Sequence, residues 1–148
     1  MESNATHFIT IRRAESRDFK AVQEVQLSGG DALLTMNDAI PIPDMEIQAS
    51  DPRGIFGVAE SGGIVVGFIY GEKLTARWAL ASYFAVRPDF RGSDAWRKLA
   101  VYFADECKKH DVKYIVSYAD SGNQKLINFY KHLGFDTGGT YIEMIKEI

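Results

Sequence analysis

The chain has 148 residues, enough for one ordinary domain with a real core and too few for two. Hydrophobic residues make up 46% and charged residues 25%, a globular balance. A net charge of −3 argues against a nucleic-acid backbone as the main partner. The lone Cys107 excludes an internal disulfide and any multi-cysteine zinc site. No apolar run nears the roughly 20 residues that span a bilayer, so no membrane role is expected. Met1 to Thr6 is polar and lacks a signal-peptide core, so the expected location is cytoplasmic.

In chain order, His7 to Arg12 alternates and reads as a first strand. Ala14 to Leu27 reads as a helix, capped by Asp18 or Ser16, with Ala21, Val22 and Val25 on its core face. Gly29-Gly30 ends it. Asp31 to Pro52 carries three prolines, five acids and no Lys or Arg. It reads as a loop with short helical turns such as Ala32 to Met36. Its single sign of charge would suit a cationic acceptor, or it is simply a solvated acidic loop.

Gly54 to Glu60 and Ile64 to Glu72 are strands joined by a Gly62-Gly63 hairpin turn. Trp78 to Val86 is apolar on both alternating faces and reads as a central strand. Pro88 stops its pairing. A helix then opens near Ser93 or Asp94, with Trp96, Leu99, Ala100, Phe103 and Cys107 on one face. Strand, tight turn and helix N-terminus together make an anion site, because unpaired N–H groups and the helix dipole meet there. Val112 to Tyr118 reads as a strand reached by a right-handed crossover. Ser121 to Leu133 reads as a helix stopped by Gly134. Thr140 to Lys146 alternates as a closing strand, with a short partner at Phe135-Asp136.

The sequence Val86-Arg87-Pro88-Asp89-Phe90-Arg91-Gly92 resembles the acetyl-CoA motif of the GNAT superfamily of N-acetyltransferases. The usual R/Q-x-x-G-x-G/A continuation departs here, with Asp94 at a Gly position and Trp96 at a Gly/Ala position. A second resemblance lies in Asn123 to Phe135, where Asn123, Phe129-Tyr130 and Gly134-Phe135 match the family in register. Leu126 and His132 depart from it.

The resemblance implies a single GNAT domain over residues 1–148. The fold would be α+β, a mixed, mostly antiparallel sheet of six to seven strands with helices on both faces and a splayed central strand pair. The implied function moves an acetyl group from acetyl-CoA to a primary amine by direct attack in a ternary complex. The small-molecule or peptide acceptor, and a homodimer as in many relatives, belong to the same implication. The alternative is a GNAT-fold binding or regulatory module with little or no transfer.

By the same resemblance, the Phe84-Ala85-Val86 backbone pairs with the pantetheine arm. The amides of Arg91, Gly92, Ser93, Asp94, Ala95 and Trp96 hold the pyrophosphate. Asn123 bonds the pantetheine arm, and Tyr130 protonates the departing thiolate. An N–H of Phe84 or Val86 receives the oxyanion. Other readings stand beside these: Asn123 as a helix cap, Tyr130 as a core tyrosine on the stripe of Leu126 and Leu133, and Arg87 and Arg91 as surface charges. Glu60, Glu72 and Asp120 are equal candidates for the base. His7, His110 and His132 lack ligand spacing, so no metal is expected.

Overall fold

The computed structural model describes residues 8–28 and 39–148. They divide into two compact units, one running to Tyr118 and the other spanning Ala119–Ile148. The first unit is built on a five-stranded sheet in the order β1-β2-β3-β4-β5. Its strands are β1 (Thr10–Arg13), β2 (Gly54–Ser61), β3 (Ile64–Lys73), β4 (Trp78–Val86) and β5 (Tyr114–Val116). Neighbours pair antiparallel from β1 to β4, and β5 joins β4 in parallel. The parallel pair follows from the crossover through α3 (Ala95–Lys109), since only a long connection returns a strand in the same direction.

Helices α1 (Phe19–Ser28) and α2 (Ile42–Ser50) cover one face. Phe19, Val22, Val25 and Met45 pack there against Phe56, Val58, Phe68 and Ala85. Phe19 stacks on Phe56 at 5.7 Å between ring centroids. The other face belongs to α3, whose Leu99 and Phe103 are buried. A Cβ built on Gly67 would meet Leu99 at 3.2 Å, and one on Gly71 would meet the Phe103 ring at 2.8 Å. On β3, therefore, Phe68 and Tyr70 face the α1/α2 side, while Gly67 and Gly71 face α3. That alternation is the two-residue period of a strand covered on both faces.

Arg12 ties the start of the chain to the sheet. Its guanidinium forks onto Asp18 at 2.7 and 2.8 Å and reaches Glu60 at 3.3 Å. Asp18 also accepts the Glu15 amide at 2.8 Å, the return bond of a capping box in which Glu15, rather than Asp18 or Ser16, is the cap residue. Ser16 and Asp18 themselves form a short 3-10 turn, so α1 begins at Phe19 rather than Ala14.

The stretch from Asp31 to Pro52 is corrected in its second half. A helix of nine residues, α2, stands where only short turns are expected. Its prolines do not break it. Pro41 is the residue before its first turn and Pro43 lies within that turn, where no intrahelical N–H is needed. Pro52 lies just past its end. His7, Gly29-Gly30 and Ala32 to Met36 lie outside the described residues.

The count of six to seven strands is also corrected, to five among the described residues. Neither Phe135-Asp136 nor Thr140 to Lys146 forms a strand. The second unit has one helix, α4 (Gln124–His132), and no strand of its own for the alternating segment to pair with. Alternation alone cannot satisfy the ladder bonds a strand requires. Tyr141, Ile142, Met144 and Ile145 are at least 80% exposed.

Candidate active site

Strand β4 is the organising element. Its pairing with β5 covers Trp78↔Tyr114, Ala79↔Ile115 and Leu80↔Val116. Ser117 then donates its hydroxyl to the Ala81 carbonyl at 3.0 Å. Beyond that point β4 continues to Val86 against β3, and no strand pairs with its other edge among the described residues. Among the described residues β4 therefore runs on past its pairing with β5, as a splayed central pair would require.

A bulge sits where the strands part. Tyr70 pairs with Tyr83 and Gly71 with Ala81, so Ser82 is the extra residue in β4. Such an insertion bends a strand and sharpens its twist. Nothing in the sequence around Ser82 marks it; only the pairing of β3 with β4 reveals it.

The Arg87 amide donates to the Val66 carbonyl at 2.7 Å, across to β3. Backbone direction alternates along a strand, so Ala85 also turns its peptide groups toward β3. Phe84 and Val86 turn theirs to the edge that β5 has left. These are the residues assigned to the pantetheine arm and to the oxyanion.

The chain then enters a 3-10 turn at Pro88–Phe90 and reaches α3 through Arg91, Gly92, Ser93 and Asp94. A Cβ on Gly92 would meet nothing within 4 Å, so there is open space beside this backbone. Ser93 accepts the Ala95 amide at 3.3 Å and donates to the Phe90 carbonyl at 2.5 Å. Ser93, not Asp94, therefore bonds the helix start. The Asp94 side chain makes no cap bond. It reaches along the helix to Arg97 at 3.3 Å and Lys98 at 3.6 Å. Two cations offset the charge that a diphosphate would otherwise meet. Trp96 lies edge-on to Phe84 at 5.0 Å, joining α3 to β4 on the α3 face.

The second unit holds the other two residues singled out in the sequence. Asn123 accepts the Leu126 amide at 3.1 Å, so it caps α4. Leu126 and Tyr130 are the buried residues of α4. The Tyr130 ring meets Phe129 and Phe135 edge-on, at 5.8 and 5.1 Å. Gly134 ends the helix at φ 92°, a left-handed conformation that suits glycine.

The three carboxylates differ in their partners. Glu60 is held by Arg12. Asp120 accepts the Gly122 amide at 2.8 Å. Glu72 takes part in no ion pair among the described residues, and it shares a β3 face with Phe68 and Tyr70. No group of three His, Cys, Asp or Glu is placed to hold a metal among the described residues. No helix among them is long and apolar enough to cross a membrane.

Comparison with known proteins gives this arrangement its context. A family model described as acetyltransferase (GNAT) matches residues 19–135. No curated protein matches the sequence. Among solved structures, Ard1 from Thermoplasma volcanium is 24% identical, with a TM-score of 0.76 over 88% of this chain and 84% of its own. An aminoglycoside N-acetyltransferase, AAC(6')-Iy in complex with CoA, is 13% identical. Its TM-score is 0.79, over 98% of this chain and 99% of its own. The ribosomal-protein-S18-alanine N-acetyltransferase from Escherichia coli is 19% identical, with a TM-score of 0.73 over 89% and 80%.

Proposed function

This chain belongs to the acetyltransferase (GNAT) family, an enzyme family that uses acetyl-CoA, and from that premise we propose that it acetylates a primary amine by direct attack. The observation that carries this reading is the end of β4–β5 pairing at Leu80↔Val116, six residues before β4 runs into the turn that opens α3. An extended thioester arm needs an unpaired strand edge, and its diphosphate needs a helix N-terminus. The part of β4 beyond its β5 pairing and the N-terminus of α3 lie in one continuous stretch, from Phe84 to Trp96.

Acetyl-CoA supplies an activated acyl group on a thiol whose ordinary pKa is near 8.5. The peptide groups of Phe84 and Val86 align that arm along the strand. The amides from Arg91 to Trp96 hold the diphosphate, with Arg97 and Lys98 offsetting the Asp94 charge. The amine nitrogen attacks the carbonyl carbon; a C–N bond forms and the C–S bond breaks. An N–H of Phe84 or Val86 donates to the developing oxyanion. Tyr130 gives its proton to the leaving sulfur. Glu72, through a water, takes the proton the amine must lose. Asn123 is assigned to its cap through Oδ1, and its amide nitrogen to the pantetheine arm.

Two measurements test the proposal together. Calorimetric titration should show acetyl-CoA binding in the micromolar range, and amine-dependent CoA release should follow in a thiol assay. Tyr130→Phe should lower kcat by about tenfold to a hundredfold, with a smaller effect on KM. Absence of binding at millimolar acetyl-CoA would remove the transfer reading and leave the alternative, a binding or regulatory module on the same fold.

A further inference from the structure

The α1/α2 face of the sheet carries a feature that transfer of an acetyl group does not itself require. Tyr70 and Tyr83 lie directly opposite each other on β3 and β4. Their rings meet edge to face at 5.5 Å. Tyr70 in turn meets Phe56 edge to face at 5.0 Å, which fixes the pair against the core. Both tyrosines remain half-buried rather than sealed.

Helix α2 brings an acid to this pair. Met45 is fully buried in the core cluster that the two tyrosines border. The Gln48 side chain donates to the Gly71 carbonyl, next to Tyr70. Asp44 precedes Gln48 by four residues, so it stands one turn away on the same helix face. That placement sets an exposed carboxylate beside the aromatic pair. The electrostatics agree with the geometry. Burial raises both phenols, Tyr70 to about 12, and the negative charge of Asp44 adds to each shift.

An aromatic face next to a carboxylate favours a cation. The carboxylate also favours keeping it charged, because a nearby anion raises the pKa of an amine. A nucleophilic nitrogen must be uncharged, so with Glu72 on the Tyr70 side left to take its proton, the Tyr83 side of this corner, where Asp44 is the carboxylate that bears on the ring, is the wrong place for the reacting amine. It is the right place for a neighbouring one. We propose that Tyr70, Tyr83 and Asp44 bind a second, non-reacting ammonium of the acceptor, so that the favoured substrates carry two or more basic nitrogens. The inference rests on the amine-acetylating reading above and narrows its acceptor to polyamines.

The test uses the full chain with CoA present, spermidine as the polyamine probe and n-butylamine as the single-amine control. Calorimetry should show spermidine binding at least about tenfold more tightly than n-butylamine. Asp44→Asn should bring that ratio close to one. Tyr83→Phe should keep the preference, and Tyr83→Leu should reduce it, because the ring rather than the hydroxyl meets the cation. Equal affinity for the two amines, or a preference that survives Asp44→Asn, overturns the proposal. Failure of the transfer reading has a different signature: an Asp44-dependent preference for spermidine with no CoA released from acetyl-CoA. Conversely, equal turnover of both amines, unaffected by Asp44→Asn, keeps the enzyme and removes the polyamine site.

Discussion

Asp18 is 4% exposed, and a carboxylate that deep persists in its charged form only with partners close by. Burial alone would raise its pKa. The bonds from Arg12 and from the Glu15 amide outweigh that and hold the carboxyl below its usual range. A group with a depressed folded pKa adds stability above its unfolded value, about 3.9, and loses it as pH falls through the folded one. Asp18→Asn should therefore cost about 2 kcal/mol near neutral pH. The gap from wild type should narrow on acidification below about pH 4, as read by urea titrations across pH. The sequence places Asp18 at the start of the first helix, but as its cap rather than as the third residue of a turn capped by Glu15, and it hides the bond to Arg12, because that partner is reached only after β1 has turned into the 3-10 segment. Asp94 shows the converse. Its sequence position suggests a helix cap or a clash with an anion; three-dimensional neighbours send it to Arg97 and Lys98 instead.

Among elements, the paired core of the fold was readable: β2, β3, β4 and α3 all announce themselves by period and by turn residues. Helix α2 is hard to read in the sequence because its prolines suggest breaks, whereas they sit where a helix tolerates them. Strands at Phe135-Asp136 and Thr140 to Lys146 were expected from alternation, which reports a suitable side-chain pattern and says nothing of a partner. The bulge at Ser82 could not be read from one strand, since it is a property of the register between two. That register depends on Gly71. A Cβ there would collide with the Leu80 carbonyl oxygen and press on the Phe103 ring. Gly71→Ala should lower stability by about 2 kcal/mol in chemical denaturation. Gly92→Ala meets open space and should change stability far less.

For the molecule as a whole, α1 and α2 on one side of the sheet and α3 on the other leave Cys107 at 2% exposure. Burial, followed by the charge of Glu106, pushes its thiol up to about 11. The thiolate is the reactive form, so the native protein should resist a thiol reagent at neutral pH. Labelling should proceed only as fast as the surrounding core opens, and its rate should rise with urea in step with unfolding. Fast labelling in buffer would show that α3 opens locally.

Along β4, successive side chains answer to different sides of the sheet. Tyr83 points toward α1 and α2 with Tyr70, while Phe84 meets Trp96 of α3. On the proposed reading, acceptor choice and the packing that holds the cofactor strand are thus written in alternate letters of one short word. A substitution at Tyr83 can change the first and leave the second readable. A one-residue deletion between Tyr83 and Val86 garbles both, because every later letter changes sides. Diversification of a strand built this way is open to replacement and closed to changes of length.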